Sequence, residues 1–416
     1  MGFSDIEQYY NEENRKVTGE YLCLSDNGYG SSSNSADYAL NIVHMKIQKP
    51  FTYRHGESTF EKYTETENLN TILIHDPEGH VKWENGADIQ VTYAVPDSTW
   101  DTFKSLRVLT GRDFDVEGLA VLNHKCAIVG DELMPAIFSM DASTGIVKSN
   151  FVRTPDIDEH GEFNGKFLST VGDKVHCKIE DLKTNDCFAV DSSVVDESEY
   201  RKHGPSGGYE GFSTLSDGTI AAFVENKSGD TTLQDEPGVR VYRVNPGNCD
   251  DKAPYFEEFL GFYPFELNAG NIADTSSIPG SDRRIVVIER NGFPNGYFFP
   301  SPVMPANKVC IVDILDTDDD MVMSNKKCIL NYHSVDDPWD VDGNGIFKYA
   351  QTQVTNEQLI VVDDYCIIAG TDTNFPSVNQ FQLEESQVPF FQEVSDSRFM
   401  VICFLEPIFD ANYPIF

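Results

Sequence analysis

Short apolar segments, repeated along the whole chain, are the feature that most limits what this sequence can fold into. Gly, Asn, Asp or Pro separates one segment from the next, and examples are KVCIVDIL, RRIVVIER, QLIVVDD, YCIIAGT and RFMVICFLE. Runs of this length bounded by turn-forming residues are typical of β-strands. Helical periodicity is weak, and its two best candidates, DSTWDTFKSLRVL and YFEEFLGFY, are too short to anchor a helical domain. The sequence therefore predicts an all-β protein.

A pair of acidic residues 15 positions apart recurs four times and indicates a repeated hairpin. The pairs are Glu117 and Glu132, Glu210 and Glu225, Asp274 and Glu289, and Glu357 and Asp372. Each pair brackets a turn and at least one apolar strand. Because two strands of about five residues and a short turn fill about 15 positions, both carboxylates of a pair are expected at the same edge of a hairpin.

Repeated hairpins of this kind suit a closed β-propeller, in which the inner strands of the blades converge on an axial channel. We predict one domain over residues 1–416, most simply with six blades. Four hairpins come from the acid pairs, a fifth from the block GFSDI to LSDNG, and a sixth from Glu61 and Asp76. Closure is expected to bring the last strand, RFMVICFL, next to the first, with the two ends of the chain sharing a blade.

A propeller built this way brings carboxylates from several blades to one axial mouth. Like charges at that density must be screened, protonated or bridged, and Ca²⁺, which accepts about six to eight oxygen ligands, is a suitable bridge. Gly118 follows Glu117 and Gly211 follows Glu210, which lets the backbone approach a bound ion or the neighbouring blade closely. The predicted metal ligands at the mouth are Asp113, Asp115, Glu117, Asp131, Glu132, Glu210, Glu225, Asp274, Glu289, Glu357 and Asp372.

The segment DPWDVDGNGIFKY is a second candidate Ca²⁺ element. Asp340, Asp342 and Asn344 take alternate positions, and Gly345 supplies the bend at the sixth place, as in an EF-hand loop. The twelfth place is Gln351 instead of a bidentate Glu, and no helical pattern flanks the loop. The open alternatives are therefore a non-helical Ca²⁺ loop and a simple Asp/Asn turn.

Charge and hydropathy restrict the partners. The 31 basic and 68 acidic residues give a formal net charge of -37 at pH 7, which repels a phosphate backbone, so nucleic acid is not an expected partner. No run of 18 apolar residues occurs, so no membrane span is predicted.

The nine cysteines are widely spaced and lack a CxxC motif, which argues against a zinc site. In an oxidising compartment Cys177 could pair with Cys187, or Cys310 with Cys328. Four others lie in apolar strand-like runs and are expected to be buried thiols: Cys23, Cys126, Cys366 and Cys403.

Several segments, in order along the chain, resemble the phytase-like family described as "esterase-like activity of phytase". They are LTGRDFDVEGLAV with AIVGDELMPAIFSMDASTGIV (within 109–147), GGYEGFSTLSDGTIAAFVE (207–225), DTSSIPGSDRRIVVIERN (274–291) and VDDPWDVDGNGIFKYAQTQVTNEQLIVVDDYCIIAGTDTNFP (335–376). The first and last blocks of the chain are similar to those of the family as well. The resemblance implies a β-propeller, an exported protein, and phosphoester or ester hydrolysis.

Two other catalytic motifs are disfavoured. YRHGESTF (53–60) mimics the phosphohistidine motif of histidine phosphatases, with His55 as the nucleophile, but those enzymes need an α/β fold. GFSTL (211–215) lacks the closing Gly of a nucleophile elbow, and no strand-turn-helix pattern surrounds Ser213.

Two hypotheses from different classes remain. In the first, the protein is a Ca²⁺-dependent hydrolase of a small phosphorylated or ester substrate, with Glu117, Glu210 and Arg290 as candidate catalytic residues; Arg290 would pair with a phosphate oxygen. In the second, the carboxylates bind Ca²⁺ only to close the channel, and the propeller is a non-catalytic binding or structural module. The sequence shows no evident general base or nucleophile, which favours the second, whereas the family resemblance favours the first.

Overall fold

The computed structural model of the chain describes residues 3–26, 35, 38–47, 66–81, 85, 87, 97–170, 200–203, 207–225, 236–266, 269–290, 307–332, 355–372 and 399–412. Within these ranges the chain forms 22 β-strands and one α-helix, so the all-β prediction is confirmed. No helix in the described ranges is both long enough and apolar enough to cross a membrane.

Five antiparallel sheets, which we call blades 1 to 5, are each built from strands that follow one another in sequence. Blade 1 contains β1 (Phe3–Tyr10), β2 (Lys16–Ser25), β3 (Asn41–Ile47) and β4 (Thr66–Leu73), and helix α1 (Asp97–Leu106) follows it. Blade 2 contains β5 (Val116–Asn123), β6 (Cys126–Asp131), β7 (Ala136–Met140) and β8 (Val152–Arg153). An accessory sheet of β9 (Pro155–Ile157), β10 (Phe163–Thr170) and β11 (Tyr200–His203) comes next. Blade 3 contains β12 (Tyr209–Thr214), β13 (Ile220–Val224), β14 (Val239–Asn245) and β15 (Tyr255–Tyr263). Blade 4 contains β16 (Asn271–Ser277), β17 (Arg284–Arg290), β18 (Asn307–Asp313) and β19 (Lys326–Asn331), and blade 5 contains β20 (Thr355–Val361), β21 (Cys366–Asp372) and β22 (Phe399–Cys403).

The first strands of the five blades form a closed ring around an axis. In this ring β1 packs on β5, β5 on β12, β12 on β16, β16 on β20, and β20 returns to β1. The propeller prediction is therefore confirmed, and among the described residues the ring has five blades instead of the expected six. Glu61, half of the pair that suggested the sixth hairpin, lies outside the described residues. Its partner Asp76 follows the outer strand of blade 1, where its carboxylate accepts hydrogen bonds from the His80 and Val81 N–H groups at 2.8 Å each.

Closure of the ring uses side-chain packing instead of a shared blade. Strand β22 pairs with β21 and belongs to blade 5, whereas β1 is the inner strand of blade 1, so the expectation of a blade built from both ends is wrong for the described strands. An apolar layer joins the two blades, with Phe3 and Ile6 of blade 1 packed in one cluster with Ile360 and Ile368 of blade 5. This layer buries the faces that would otherwise be exposed where the ring closes.

Every blade is sandwiched between two neighbours, which explains the continuous apolar runs in the sequence. In β17, Ile285 and Val287 pack toward blade 3, and the alternate residues Val286 and Ile288 pack toward blade 5. A strand buried on both faces reads as an unbroken apolar run instead of an alternating one.

The two helix candidates have different outcomes. The segment DSTWDTFKSL forms α1, whose Trp100 and Phe103 pack against Val108. The segment YFEEFLGFY forms β15, so its interpretation as a helix is wrong. The strand pairs with β14 at the outer edge of blade 3, where Tyr255 at its start is exposed. Near its end, Phe262 also exchanges backbone hydrogen bonds with Met321 and Met323, and Tyr263 is buried.

Three disulfides lie within the described residues. Cys310 bonds to Cys328, as the sequence allowed, and Cys366 bonds to Cys403; both pairs are directly opposite in neighbouring strands. The third joins Cys126 of blade 2 to Cys249 of blade 3. The prediction of buried thiols is therefore correct for Cys23 and wrong for the other three, because strand pairing and blade packing bring them next to partners that are distant in sequence. Cys177 and Cys187 lie outside the described residues.

Glycines on the inner strands let the blades approach closely. A Cβ atom added at Gly211 would lie 2.8 Å from the backbone nitrogen of Thr275 in blade 4, and one added at Gly118 would lie 3.1 Å from the Phe212 ring of blade 3. The expected close approach of the neighbouring blade is thus present at both positions.

We predict that Gly211→Ala destabilises the fold by about 1–3 kcal/mol, because the added methyl group forces blade 3 away from blade 4. Gly270→Ala is the matched control, since a Cβ at Gly270 meets nothing within 4 Å, and it should change the free energy of unfolding by less than about 0.5 kcal/mol. Urea unfolding followed by circular dichroism measures both. Equal stability of the two variants would show that the inter-blade contact at Gly211 is not tight in solution.

Candidate functional site

A β-bulge near the start of each inner strand determines which side chains reach the axial mouth. In blade 2, Val116 pairs with Asp131 and Gly118 pairs with Gly130, so Glu117 is the extra residue between them. The same irregularity occurs at the equivalent point of each of the five inner strands. The bulged residues are Ser4, Glu117, Glu210, Ala273 and Glu357.

The second strand of each blade adds one more position at the same edge. In blade 2, Val116 precedes the bulge and pairs with Asp131 on the second strand. The next residue along the chain, Glu132, occupies this position. In four blades it is acidic and in blade 4 it is an arginine. The five residues are Asp26, Glu132, Glu225, Arg290 and Asp372, the last placed by its strand register alone.

Two groups of three carboxylates converge at this edge, and we call the region the axial mouth. The first carboxylate group is Asp26, Asp115 and Glu117, and the second carboxylate group is Glu132, Glu210 and Glu225. In each group, one oxygen from every side chain lies within 4.8 Å of the others. The two groups are neighbours, because Glu117 interacts electrostatically with both Glu210 and Glu132.

Arg290 lies against the second carboxylate group. Its Nη2 atom is 2.9 Å from Glu210, 3.6 Å from Glu225 and 3.1 Å from Glu357. One arginine of blade 4 therefore contacts carboxylates of both adjacent blades. The side chain is 15% exposed, so the guanidinium group sits at the opening and is not sealed in the core.

Burial and mutual repulsion raise the pKa of three carboxylates at the mouth, Glu117, Glu132 and Glu210. The pKa of Glu117 lies well above its ordinary value because of burial and then the charges of Glu210, Asp115, Asp26 and Glu132. Burial also raises the pKa of Glu132, with Asp115 and Glu225 as the largest charge contributions. For Glu210, burial and Glu225 raise the pKa, and Arg290 opposes them. The groups are therefore poised to take up protons or a cation.

Two of the predicted ligands, Asp131 at the end of β6 and Asp113 in the turn before β5, hold the backbone near the mouth and do not belong to the two carboxylate groups. Asp131 accepts hydrogen bonds from the Asp115 N–H at 2.8 Å and the Met134 N–H at 2.5 Å, which fixes the segment that carries Asp115. Asp113 accepts hydrogen bonds from the N–H and hydroxyl of Thr110, at 2.9 and 3.2 Å.

Asp274 is placed between two blades. Its carboxylate accepts hydrogen bonds from the N–H of Thr275 and from that of Leu359 in blade 5, both at 2.6 Å. Asp5 occupies the equivalent position in blade 1 and accepts the N–H of Leu119 in blade 2 at 2.5 Å. In blades 1 to 4, the residue after the bulge thus lies against the next blade, as a carboxylate in blades 1 and 4 and as a glycine, Gly118 or Gly211, in blades 2 and 3.

Glu289 lies away from the mouth, between blades 3 and 4. Its carboxylate accepts hydrogen bonds from the Tyr263 hydroxyl at 2.7 Å and the Glu266 N–H at 3.1 Å, and it pairs with Lys326. Because side chains alternate along a strand, Arg290 points to the mouth and Glu289 does not. The equivalents of Glu117 and Glu132 in blade 4 are Ala273 and Arg290, which are 17 positions apart, so the 15-residue spacing selected other residues there.

The other predicted site residues divide as follows. Glu357 is at the mouth through its contact with Arg290. Asp340, Asp342 and Asn344 lie outside the described residues, as do His55 and the whole YRHGESTF motif. Ser213 of GFSTL is fully buried between blades, where its hydroxyl donates to the Thr275 hydroxyl at 2.9 Å, which does not suit a nucleophile.

One residue of the mouth was missed as a ligand. Asp26 follows the strand LCLS, and it takes the position that Glu132 and Glu225 take in their blades. The wider spacing between Asp5 and Asp26 hid this equivalence, because β1 and β2 together are longer than the first two strands of blades 2 and 3.

Comparison with known proteins identifies the family. The sequence matches the phytase-like family, described as "Esterase-like activity of phytase", over residues 2–375. The chain belongs to the phytase-like family. No curated protein matches it in sequence.

Solved structures show only distant likeness to this phytase-like chain. A GH74 xyloglucanase from Xanthomonas campestris shares 9% identity at a TM-score of 0.32, over 89% of this chain and 52% of its own. Apo AztD from Citrobacter koseri shares 8% identity at a TM-score of 0.26, over 88% of this chain and 80% of its own. The phytase-like chain thus spans about half the length of the xyloglucanase.

We predict that, without divalent cations, the free energy of unfolding falls as pH rises from about 5 to 8. The pKa of Glu7, on the inner strand of blade 1, is raised from 4.5 to about 8, mainly by burial, with Lys16 opposing. A carboxyl group with a higher pKa in the folded state binds its proton more tightly there, so its contribution is complete below pH 4.5 and is lost as pH rises toward 8.

Urea unfolding in EGTA at several pH values tests this. Glu7→Gln should reduce the slope and stabilise the protein at pH 8 relative to wild type. The control Glu13→Gln changes an exposed carboxylate paired with Arg15 and should leave the slope unchanged. If Glu7→Gln keeps the wild-type slope, the group titrates normally in the folded protein.

Proposed function

We propose that this phytase-like propeller is a Ca²⁺-dependent hydrolase of small phosphoesters that acts at the axial mouth. The observation that carries the proposal is the convergence of two adjacent three-carboxylate groups with one arginine at a single opening. Carboxylate oxygens suit a hard divalent cation, and arginine suits a phosphate.

The residues present fit Ca²⁺ by donor chemistry and spacing. Two ligands of one Ca²⁺ ion, each about 2.3–2.6 Å from it, can be at most about 5 Å apart. The oxygens of each carboxylate group lie within 4.8 Å of one another, and all are carboxylate oxygens. Asp26, Asp115 and Glu117 would hold one ion, and Glu132, Glu210 and Glu225 a second. A bound Ca²⁺ ion would supply Lewis-acid polarisation of a phosphoryl oxygen.

The roles of the protein groups follow from their positions. Glu117 and Glu210 lie on the bulges of adjacent blades, so they link the two carboxylate groups across the blade 2–blade 3 boundary. Asp131 orients the segment carrying Asp115 through its backbone hydrogen bond. Arg290 offers a guanidinium group that can make paired hydrogen bonds to phosphate oxygens and orient the phosphoester.

A non-catalytic Ca²⁺-stabilised propeller is the second candidate, and one observation favours it. Arg290 links blades 3, 4 and 5 through Glu210, Glu225 and Glu357, so residues of the mouth also hold the ring together. In this alternative, Ca²⁺ would raise stability without any hydrolysis.

We also propose that the protein works in an oxidising, extracytoplasmic environment. The proposal is supported by the disulfides Cys126–Cys249, Cys310–Cys328 and Cys366–Cys403. Such bonds are rare in a reducing cytosol.

We predict that Ca²⁺ raises the melting temperature by several degrees and that EGTA abolishes the rise. At about 100-fold excess over Kd, a ligand of the folded state adds roughly 2.7 kcal/mol. Glu117→Gln and Glu210→Gln should each shrink the rise, because an amide keeps one oxygen and loses the charge. Glu13→Gln, at an exposed site, is the control.

The same proteins are assayed with para-nitrophenyl phosphate and para-nitrophenyl acetate. Ca²⁺-dependent release from the phosphate ester, reduced at least about 100-fold in Glu117→Gln and Glu210→Gln, supports the hydrolase. A Ca²⁺-dependent melting temperature with no hydrolysis of either ester supports the structural alternative. Identical melting with Ca²⁺ and EGTA contradicts both.

A further inference from the structure

We infer that Arg290 is an internal counter-ion that Ca²⁺ displaces from the second carboxylate group, and that the displaced guanidinium group is the receptor for a phosphate anion. The inference rests on the proposed function and adds a mechanism by which cation and anion binding depend on each other.

The contacts of Arg290 differ from those of an arginine built in for structure. Its three carboxylate contacts all use Nη2, at 2.9, 3.1 and 3.6 Å, although this atom carries only two N–H bonds. Its Nε–H is buried and has no hydrogen-bond partner among the described residues. Within that part of the chain, the guanidinium group is therefore held mainly by charge, and its Nε–H donor is unused.

Arg240 provides the comparison within the same chain. Its Nε contacts Glu236 at 3.2 Å, its Nη1 donates to Asp156 at 2.7 Å and to Tyr242 at 3.2 Å, and its Nη2 donates to Glu236 at 2.7 Å. All three nitrogens are satisfied in a side chain that is 1% exposed. Arg240 thus satisfies all three nitrogens of its guanidinium group, whereas the Nε–H of Arg290 has no hydrogen-bond partner among the described residues.

Arg290 and Ca²⁺ require the same side chains. The second carboxylate group consists of Glu132, Glu210 and Glu225, and Arg290 already contacts two of them. Ca²⁺ brings two charges to these carboxylates where Arg290 brings one, and it binds carboxylate oxygens at a shorter distance of about 2.3–2.6 Å. Both cations cannot hold these oxygens in full, so binding of one weakens the hold of the other.

Displacement changes what Arg290 can bind. Of its three carboxylate partners, only Glu357 is outside the second carboxylate group, so this contact would keep the side chain at the mouth. The guanidinium group of Arg290, which had neutralised Glu210 and Glu225, then has N–H donors available for an anion. A phosphate can accept two parallel hydrogen bonds from the guanidinium edge. Ca²⁺ should therefore increase phosphate affinity, and by linkage phosphate should increase Ca²⁺ affinity by the same factor.

The test is calorimetric titration of the metal-free protein with CaCl₂. In Arg290→Met the competing cation is removed, so the weaker Ca²⁺ site should bind at least about 10-fold more tightly than in wild type. Arg290→Lys, which keeps the charge, should restore affinity toward the wild-type value. Arg283→Met is the charge-matched control: Arg283 pairs with Asp313 at the opposite end of β17, and its loss should leave Ca²⁺ affinity unchanged.

Inorganic phosphate is then titrated with and without Ca²⁺. Wild type should gain at least about fivefold in phosphate affinity when Ca²⁺ is present, and Arg290→Met should lose that gain. Circular dichroism melts confirm that each variant is folded before titration.

The outcomes separate this inference from the proposed function. If wild type binds Ca²⁺ and Arg290→Met binds it equally or more weakly, Arg290 is a structural tether and the inference is overturned while the metal site stands. If Arg290→Met and Arg283→Met tighten Ca²⁺ binding equally, the effect is one of net charge and the inference is again overturned. If neither wild type nor Arg290→Met binds Ca²⁺, the proposed function itself fails.

Discussion

The concentration of acidic side chains around the propeller axis is the constraint on which the rest of this structure depends. A ring of inner strands forces the first residues of every blade together, and here each blade contributes an acidic residue at or next to its bulge: Asp5, Glu117, Glu210, Asp274 and Glu357. The repulsion between these carboxylates is offset in one way between the blades and in another at the axial mouth. Asp5 and Asp274 accept backbone N–H groups of the next blade, which converts a buried charge into an inter-blade connection. At the mouth, Arg290 supplies the positive charge for Glu210, Glu225 and Glu357. The carboxylates of blade 2 are brought together without an equivalent arginine among the described electrostatic contributors to Glu117, whose pKa is raised first by burial and then by the neighbouring carboxylates.

The β-bulges explain why the acids converge at all. In a regular strand, successive side chains point to opposite faces, toward the two neighbouring blades. The extra residue in each inner strand breaks that alternation at one point, so Glu117 and Glu210 can reach the axis while the residues on either side of them remain in the blade interfaces. Gly118 and Gly211 then occupy positions where a Cβ would meet the next blade. The Glu-Gly pair is therefore a local solution to two demands, a carboxylate at the axis and close packing beside it.

Much of this could be predicted from the sequence, and the parts that could not share a physical cause. Strand-length apolar runs predicted the fold, and the 15-residue spacing predicted the pairs Glu117 with Glu132 and Glu210 with Glu225, because in those blades the hairpin has the same length. In blade 4 the spacing matched Asp274 and Glu289 by chance, since a longer turn shifts the equivalent positions to Ala273 and Arg290. Turn lengths and bulges set the strand register, and neither can be read from composition or from the spacing of acidic residues. The Cys126–Cys249 disulfide was unpredictable for a related reason: it joins two blades across 123 residues, and only the packing of the ring brings them together. The assignment of residues 1–416 to one domain stays a prediction.

Blade 4 departs from the pattern of the other blades, and this departure makes the distribution of charge at the axial mouth asymmetric. Where blades 2 and 3 place a glutamate on the bulge and another on the second strand, blade 4 places Ala273 and Arg290. A fully symmetric ring of carboxylates would attract cations and repel every anion. With arginine at one acidic position and alanine at the bulge beside it, blade 4 places a guanidinium group between the carboxylates of blades 3 and 5. The proposed site for a phosphoester between a cation and an arginine requires such an interruption, because the anion needs an opening in the ring of negative charge. Blade 4 is therefore the part of the ring where this chain departs from charge repetition, as the proposed function requires.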